Sequence, residues 1–416
     1  MRRVVITGLG TINPLGNNVE ESFSNIEAGV NGIDTIKSFD ATELKVSLAA
    51  ELKNLNLEDH FSKSDIRRND KVTLYGLLAS KEAMENANLI NYEFDPYRFG
   101  VYFTSGIGGL ITLDEEISKK VKLGANRISP FFIPKSISNI TGAQISIKYG
   151  LKGPNTPIVT ACSASTNSIG EAFRNIKHGY IDLAIAGGSE AAIEEVGIGG
   201  FQSLRALSTE TNKNRASIPF DKERNGFVMG EGAGALILES LEHAKKRGAN
   251  IIAEIVGYGT TGDAYHITAP DETAEGINHA IKFALNEAKI EKDKIDYINA
   301  HGTSTLLNDK TETLGIKKAF DDHAYKLNIS SSKSMIGHTL GAAGAIESII
   351  TIKSIVNNVC PPTINLNVKD DELDLNYTPN KAYKREVNYA MTMNLGFGGH
   401  NAVLIFKKYV GDLDVK

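Results

Sequence analysis

The chain has only two cysteines, Cys162 and Cys360, in 416 residues. At most one disulfide could form, so a cystine-stapled secreted scaffold is excluded and free thiols in a reducing compartment are expected. Long apolar runs are lacking too: none approaches the roughly 18 residues that cross a bilayer. The opening "MRRVVITGLGTINPLG" imitates a signal peptide only briefly. Asn13 and Pro14 break it and no small-residue cleavage site follows, so it reads as a first buried strand. A basic excess is absent as well, with a net charge near −5, which removes the usual nucleic-acid signal. There is no low-complexity linker. A cytoplasmic protein that binds neither membrane nor nucleic acid is expected.

What remains is ordinary for a folded enzyme, 41% hydrophobic and 23% charged, with 39 glycines that suit many tight turns. The length exceeds what one hydrophobic core usually holds. Strand-like runs, among them "RFGVYFTSG", "GPNTPIVTAC", "IDLAIAGG", "GAGALILESL", "IIAEIVGYG", "KIDYINAHG" and "NAVLIFKKY", alternate with helical stretches such as "DKVTLYGLLASKEAMENANL". Short, nearly continuous apolar runs predict strands buried on both faces, and the alternation predicts α/β layers. Two segments share a strand, turn and small-residue helix: "IVTACSASTNSIGEAFRNIKHG" and "NISSSKSMIGHTLGAAGAIESIITIKS". They predict two similar halves, 1–250 and 251–416, joined at "LEHAKKRGAN".

Cys162 stands where a strand turns into a helix. There, unpaired N–H groups would aim at the sulfur and favour its thiolate; the plain alternative is a buried cysteine filling a gap. Cys360, before two prolines, reads as structural. His301 in "INAHGTST" and His338 in "SKSMIGHTLGAAG" each follow an extended run and precede a glycine-containing turn. Alone, each fits a core or turn histidine; together they point to a site at strand ends. Cys162, His301 and His338 could also ligate zinc, but neither histidine has an obvious carboxylate support. "GLGTINPLG" starts like a dinucleotide loop, yet Asn13 stands where the third glycine belongs. No metal and no cofactor are expected.

With these residues collected, the chain resembles the elongating β-ketoacyl-acyl-carrier-protein synthases, and most of all synthase II. The likeness runs end to end through "GPNTPIVTACSAST", "AIAGGSEA", "PFDKERNGFVMGEGAG", "DAYHITAP", "NAHGTST", "KSMIGHTLGAAGA" and "LGFGGHN". It implies a thiolase-like fold of five α-β-α-β-α layers, usually a homodimer. It implies decarboxylative condensation of an acyl group on Cys162 with malonyl-acyl-carrier protein in fatty acid elongation. Initiating synthases have Cys-His-Asn where this chain offers Cys-His-His. Thiolases carry a second cysteine in the last glycine motif, and chain-length factors lack the nucleophile. A condensing enzyme of a specialised polyketide or polyene pathway, or a carrier-protein-binding partner subunit, are the other readings of the same likeness.

Residue by residue, the resemblance implies that His301 and His338 act on malonyl and that Lys333, paired with Glu347, tunes a histidine. It implies that Phe397 is a gate and supplies an oxyanion N–H beside that of Cys162. Ile107, Phe131, Phe132 and Phe201 match acyl-pocket walls, and Thr303 and Thr305 match pantetheine contacts. Arg67, Arg68, Arg127 and Arg205 match or neighbour a basic rim for the acidic carrier protein. The family usually differs at Leu306 and Asn308, often at Ile336, has Asn-Ser at Met393 and Asn394, and a common Gly at Ser165.

Overall fold

The computed structural model describes residues 1–411. Nine strands carry the fold: β1 (Val4–Ile12), β2 (Phe99–Thr104), β3 (Leu183–Glu190), β4 (Gly232–Ser240), β5 (Ala253–Gly262), β6 (Tyr297–Asn299), β7 (Asn328–Ser330), β8 (Tyr389–Gly396) and β9 (His400–Lys408). Their order across the sheet is β2-β3-β4-β1-β5-β9-β8-β6-β7. Only Val4–Ile6 of β1 and Ala253–Ile255 of β5 join the two sides. Outward from this narrow seam each side runs first strand, last strand, next-to-last strand, then a strand from mid-half. The chain therefore folds the same arrangement twice.

Five helices complete the layers: α1 (Lys71–Asn86), α2 (Ala164–Lys177), α3 (Glu275–Ala288), α4 (Leu306–Phe320) and α5 (Ala343–Asn357). α2 and α5 lie in the middle. Ile169 and Phe173 of α2 share one core with Ile349 and Ile352 of α5, Leu236 of one half-sheet and Leu404 and Phe406 of the other. Ala79, Ala83 and Met84 of α1 cover the outer face of the first half with Phe103, Ile185 and Ile237. Ile277 and Ile281 of α3 and Ile316 of α4 cover the second with Ile298, Val403 and Ile405. This is the expected α-β-α-β-α sandwich, and strands buried on both faces explain the unbroken apolar runs.

The glycines of "GLG" have a packing reason rather than a phosphate-binding one. A Cβ on Gly8 or Gly10 would overlap the Ala83 or Ala79 carbonyl of α1. Gly257 and Gly259 of β5 meet Ala284 and Ala280 of α3 in the same way. Each half thus presses its first strand onto its outer helix through Gly-x-Gly.

Three expectations change. "YAMTMNLG", now β8, went unread as a strand because it lacks a β-branched or aromatic run, yet it is central in the second half. "GPNTPIVTAC" forms only a bridge from Asn155 to Val101 beside β2. It occupies the place that β7 holds in the other half, but no strand flanks it outside, and Val159 is 49% exposed. Finally, Leu340–Asn357 is a continuous helical stretch of 18 residues, apolar enough to span a bilayer by length and composition, against the expectation that none would be. It is 89% buried between the two half-sheets, which accounts for its apolarity.

Candidate active site

Two matching turns build the site. Cys162 sits in a single 3-10 turn, Ala161–Ser163, that runs into α2; Leu340–Ala342 makes the same turn into α5. Both begin on a residue forced into the left-handed region, Ala161 (φ 52°) and Leu340 (φ 47°). Such strain in a non-glycine residue persists only where the surroundings enforce it. Gly341 thus stands where Cys162 stands in the other half, and one arm of the duplication carries the thiol. The helices touch where their first turns meet. The Ala345 N–H donates to Ser165 Oγ at 2.9 Å, which gives the unusual Ser165 a role. A Cβ on Gly344 would collide with Thr166.

Cys162 is buried, with 8% of its surface exposed. The backbone N–H groups of Phe397 and of Cys162 itself reach its sulfur. The expectation of a resting thiolate is corrected here. Burial pushes the Cys162 thiol up to about 11, more than the Lys333 charge and the two N–H groups pull it down. Desolvation outweighs the helix start because most of the thiol's surroundings are protein atoms that solvate an anion less well than water. At neutral pH the group rests as the thiol.

His301 follows β6, and His338 lies between β7 and α5. Their rings meet edge-on with centroids 5.2 Å apart. Both are almost fully buried, and burial, then the Lys333 charge, holds both imidazoles well below the ordinary histidine value. They are neutral at physiological pH. Their tautomers follow from their partners. The Leu340 N–H donates to His338 Nδ1 at 3.3 Å. Asn394 Nδ2 donates to His301 Nδ1 at 3.3 Å. With Nδ1 accepting in each ring, Nε2 carries the proton in each. Behind His301, the Glu312 carboxyl accepts from the His301 and Gly302 backbone N–H groups at 2.5 and 2.7 Å; burial lifts it to about 8.

Lys333 and Glu347 form a buried ion pair, each side chain 1% exposed. Burial pushes Glu347 up, opposed by the Lys333 ammonium and by Asn394. Glu190, fully buried at the end of β3, accepts from Ser105 Oγ at 2.6 Å and from the Gly106 and Gly341 N–H groups at 2.8 and 2.9 Å. It ties the turn after His338 to the loop bearing Ile107. Sequence reading missed Glu312 and Glu190, and took Asn394 only as a departure from the family pattern. Only the recurrence of a carboxylate or amide inside an apolar strand or small-residue helix hints at them.

A cavity of ≈ 340 Å³ is lined together by Cys162, His301, His338 and Phe397. Phe201, Thr303, Thr305 and Arg205 line it as well. Thr303 and Thr305 hydroxyls bond each other at 2.9 Å, and the Phe201 and Phe397 rings lie 6.4 Å apart. Ile107 is not a wall of this cavity but packs in the apolar cluster with Cys162, Phe201 and Leu340. Lys333 lies buried behind the histidines. Phe132 does not line this cavity; it starts the short helix Phe132–Ser136, whose Lys135 and Ser136 pack against Gly108 and Gly109 beside Ile107. Arg67, Arg68 and Arg127 are exposed and do not line the cavity, whereas Arg205 does. The Arg68 guanidinium lies 5.8 Å from the Phe131 ring centroid, so that arginine belongs to the 125–132 surface. Of the departures, Leu306 and Asn308 line the cavity, while Ile336 is buried outside it.

The arrangement offers one sulfur with two N–H donors and two neutral imidazole N–H donors around one apolar space. Comparison with known proteins points to one family. The family model described as "Beta-ketoacyl synthase, N-terminal domain" matches residues 1–244, and "Beta-ketoacyl synthase, C-terminal domain" matches 252–367. The chain is 50% identical over 408 residues to a 3-oxoacyl-[acyl-carrier-protein] synthase 2 of Staphylococcus aureus (strain COL), covering 98% of this chain and 99% of that protein. It is 46% identical over 408 residues to the Coxiella burnetii protein of the same name, with the same coverage. A solved β-ketoacyl synthase from Burkholderia phymatum STM815 superposes with a TM-score of 0.91 at 35% identity, covering 98% of this chain and 100% of that one. A type II polyketide ketosynthase, solved with its acyl-carrier protein and bound to the hexaketide, gives 0.91 at 34%, over 98% and 99%.

Proposed function

Because this chain belongs to the β-ketoacyl synthase family, we propose that Cys162, His301, His338 and Phe397 divide its reaction between them. That reaction is the acyl transfer and decarboxylative condensation that elongates fatty acids, giving 3-oxoacyl-acyl-carrier protein and CO2. The higher identity to the synthase 2 relatives, 50% against 34% for the polyketide ketosynthase, favours elongation over a specialised pathway.

In the first half-reaction the Cys162 sulfur attacks the acyl thioester. The carbonyl oxygen gains charge against the Cys162 and Phe397 N–H groups, each such donor contributing about 2.7–4 kcal/mol of barrier lowering. The C–S bond to the carrier breaks, and the carrier thiol leaves with the proton that Cys162 gave up. In the second, the malonyl thioester oxygen lies between His301 Nε2–H and His338 Nε2–H. The C–C bond to the carboxylate breaks, CO2 departs, and the electron pair forms an enolate whose oxygen the two donors stabilise. Neutral imidazoles suit this task, because no base is required to make the carbanion. The carbanion attacks the acyl-Cys162 carbonyl, the C–S bond breaks, and one proton restores the thiol. Burial and the Lys333 charge keep the histidines neutral, and Glu347 holds Lys333 and Asn394 in place beside them.

Thr303 and Thr305 would bind the pantetheine arm, and Phe397, beside Phe201, would gate it. Phe201 would wall the acyl tail, with Ile107 in the same apolar cluster behind it. Arg205 would meet the acidic carrier protein at the mouth, with Arg67, Arg68 and Arg127 on an adjoining surface. A homodimer is supported by the unpaired outer edge of residues 156–160, which a second copy can satisfy, and by exposed Ile133, Ile147 and Val159 nearby in the chain. Phe132 would act across such an interface. The two unpaired thiols suit the cytoplasm, and the division into halves near residue 250 follows the seam between β1 and β5.

One observation carries this reading: the thiol and both imidazoles line a single cavity. Incubation with acyl-loaded carrier protein should add the acyl mass to the Cys162 peptide, and Cys162→Ala should lose it. His301→Ala and His338→Ala should keep the adduct but lose malonyl decarboxylation. Wild-type decarboxylation in both variants refutes the assigned roles.

A further inference from the structure

The side-chain amide of Asn394 is the one group touching three parts of the site at once. Its Nδ2 donates to Glu347 Oε2 at 2.7 Å and to His301 Nδ1 at 3.3 Å, while its Oδ1 accepts from the Thr166 hydroxyl at 2.5 Å. Thr166 belongs to the first turn of α2, four residues after the nucleophile. Asn394 itself is fully buried in β8, two residues before Gly396, and so precedes the hairpin that carries Phe397. Glu347 is at the same time the partner of Lys333.

We propose that Asn394 is the positioning residue that keeps His301 with its proton on Nε2, and that it couples this choice to the Lys333–Glu347 pair. The chemistry of the amide is specific. A carboxamide NH2 has two protons and serves two acceptors together, the carboxylate and the imidazole Nδ1. A serine hydroxyl, frequent here in the family, has one proton and could serve one of them. In this chain a donor-only Nδ2 therefore faces His301 Nδ1, which is left to accept. Rotation of the amide is blocked, because exchanging Nδ2 for Oδ1 would set an oxygen lone pair against Glu347. The inference rests on the assignment of His301 to the malonyl half-reaction.

Two measurements test it on the full chain. In protein labelled with 15N-histidine, the His301 ring, identified by loss of its signals in His301→Gln, should show a protonated Nε2 and an unprotonated, accepting Nδ1. Asn394→Asp, whose oxygen faces Nδ1, should shift the proton to Nδ1, and Asn394→Ala should give a mixture. In activity, malonyl-carrier decarboxylation should fall by at least about 100-fold more than acyl transfer to Cys162 in Asn394→Asp, against the ~10⁴-fold seen where a catalytic imidazole takes the wrong tautomer. Asn394→Ala should show the same imbalance to a smaller degree. An unchanged His301 tautomer in both variants, or an equal fall of the two half-reactions, overturns the proposal. If wild-type protein fails to decarboxylate malonyl-carrier protein, the assignment of His301 fails, while the spectra still judge the tautomer.

Discussion

Replacing Lys333 by methionine removes the ammonium but leaves Glu347 sealed in the protein. The Lys333 and Glu347 side chains are each 1% exposed, so no solvent screens what remains. Breaking a buried pair from one side costs about 3–5 kcal/mol, most of it the unpaired charge. At about 2.1 cal/mol/K of unfolding entropy per residue, that is roughly 3–6 °C of Tm for a chain of this length. Glu347→Gln strands the ammonium instead and should cost a similar amount, while its amide oxygen can still accept from Asn394. The double variant Lys333→Met/Glu347→Gln buries no charge. It should therefore be more stable than either single variant, with a coupling of at least about 2 kcal/mol. The pH dependence has a definite sign. Burial raises Glu347, and removing Lys333 takes away the largest influence holding it down. A carboxyl raised in the folded state favours folding while protonated and loses that contribution as pH rises through its folded value. Lys333→Met should thus lie nearer to wild type at pH 5 than at pH 8. Urea midpoints for the four proteins at both pH values measure this. Additive single costs, or a Lys333→Met deficit independent of pH, would refute the buried-pair reasoning.

Because burial lifts the Cys162 thiol to about 11, its alkylation by iodoacetamide should rise nearly tenfold per pH unit from 7 to 10. A rate flat between pH 7 and 9, followed on the Cys162 peptide, would instead indicate a resting thiolate. Gly344→Ala would drive a methyl into Thr166 at the crossing of α2 and α5. It should cost about 1–3 kcal/mol or block folding, and a wild-type urea midpoint would contradict that packing.

Strand-to-helix turns rich in small residues marked Cys162 and the region of His338 in the linear chain, since only small side chains fit where α2 and α5 cross. The Gly-x-Gly of β1 was visible as a motif, but its purpose was not. Only the closeness of Ala79 and Ala83 shows that it serves packing. Asn394 stood out only as a departure from the family pattern, and its role stayed hidden because "YAMTMNLG" carries no clear strand periodicity. Its importance arises from three partners 228, 93 and 47 positions away in the chain. The ionisation of Cys162 was misjudged for a related reason. A helix start is a local feature, whereas desolvation is imposed by every element closing over the sulfur.

By itself, then, the order of amino acids determined the α/β layering, the doubled plan and the reactive groups, because periodicity, turn chemistry and motif spacing are local properties of the chain. Tertiary structure alone decided that burial raises the Cys162 thiol, that the thiol and both rings line one cavity, and that Asn394 stands between His301 and Glu347. Protonation and hydrogen-bond partnership depend on what lies within a few ångströms in space, and residues distant in sequence supply nearly all of it.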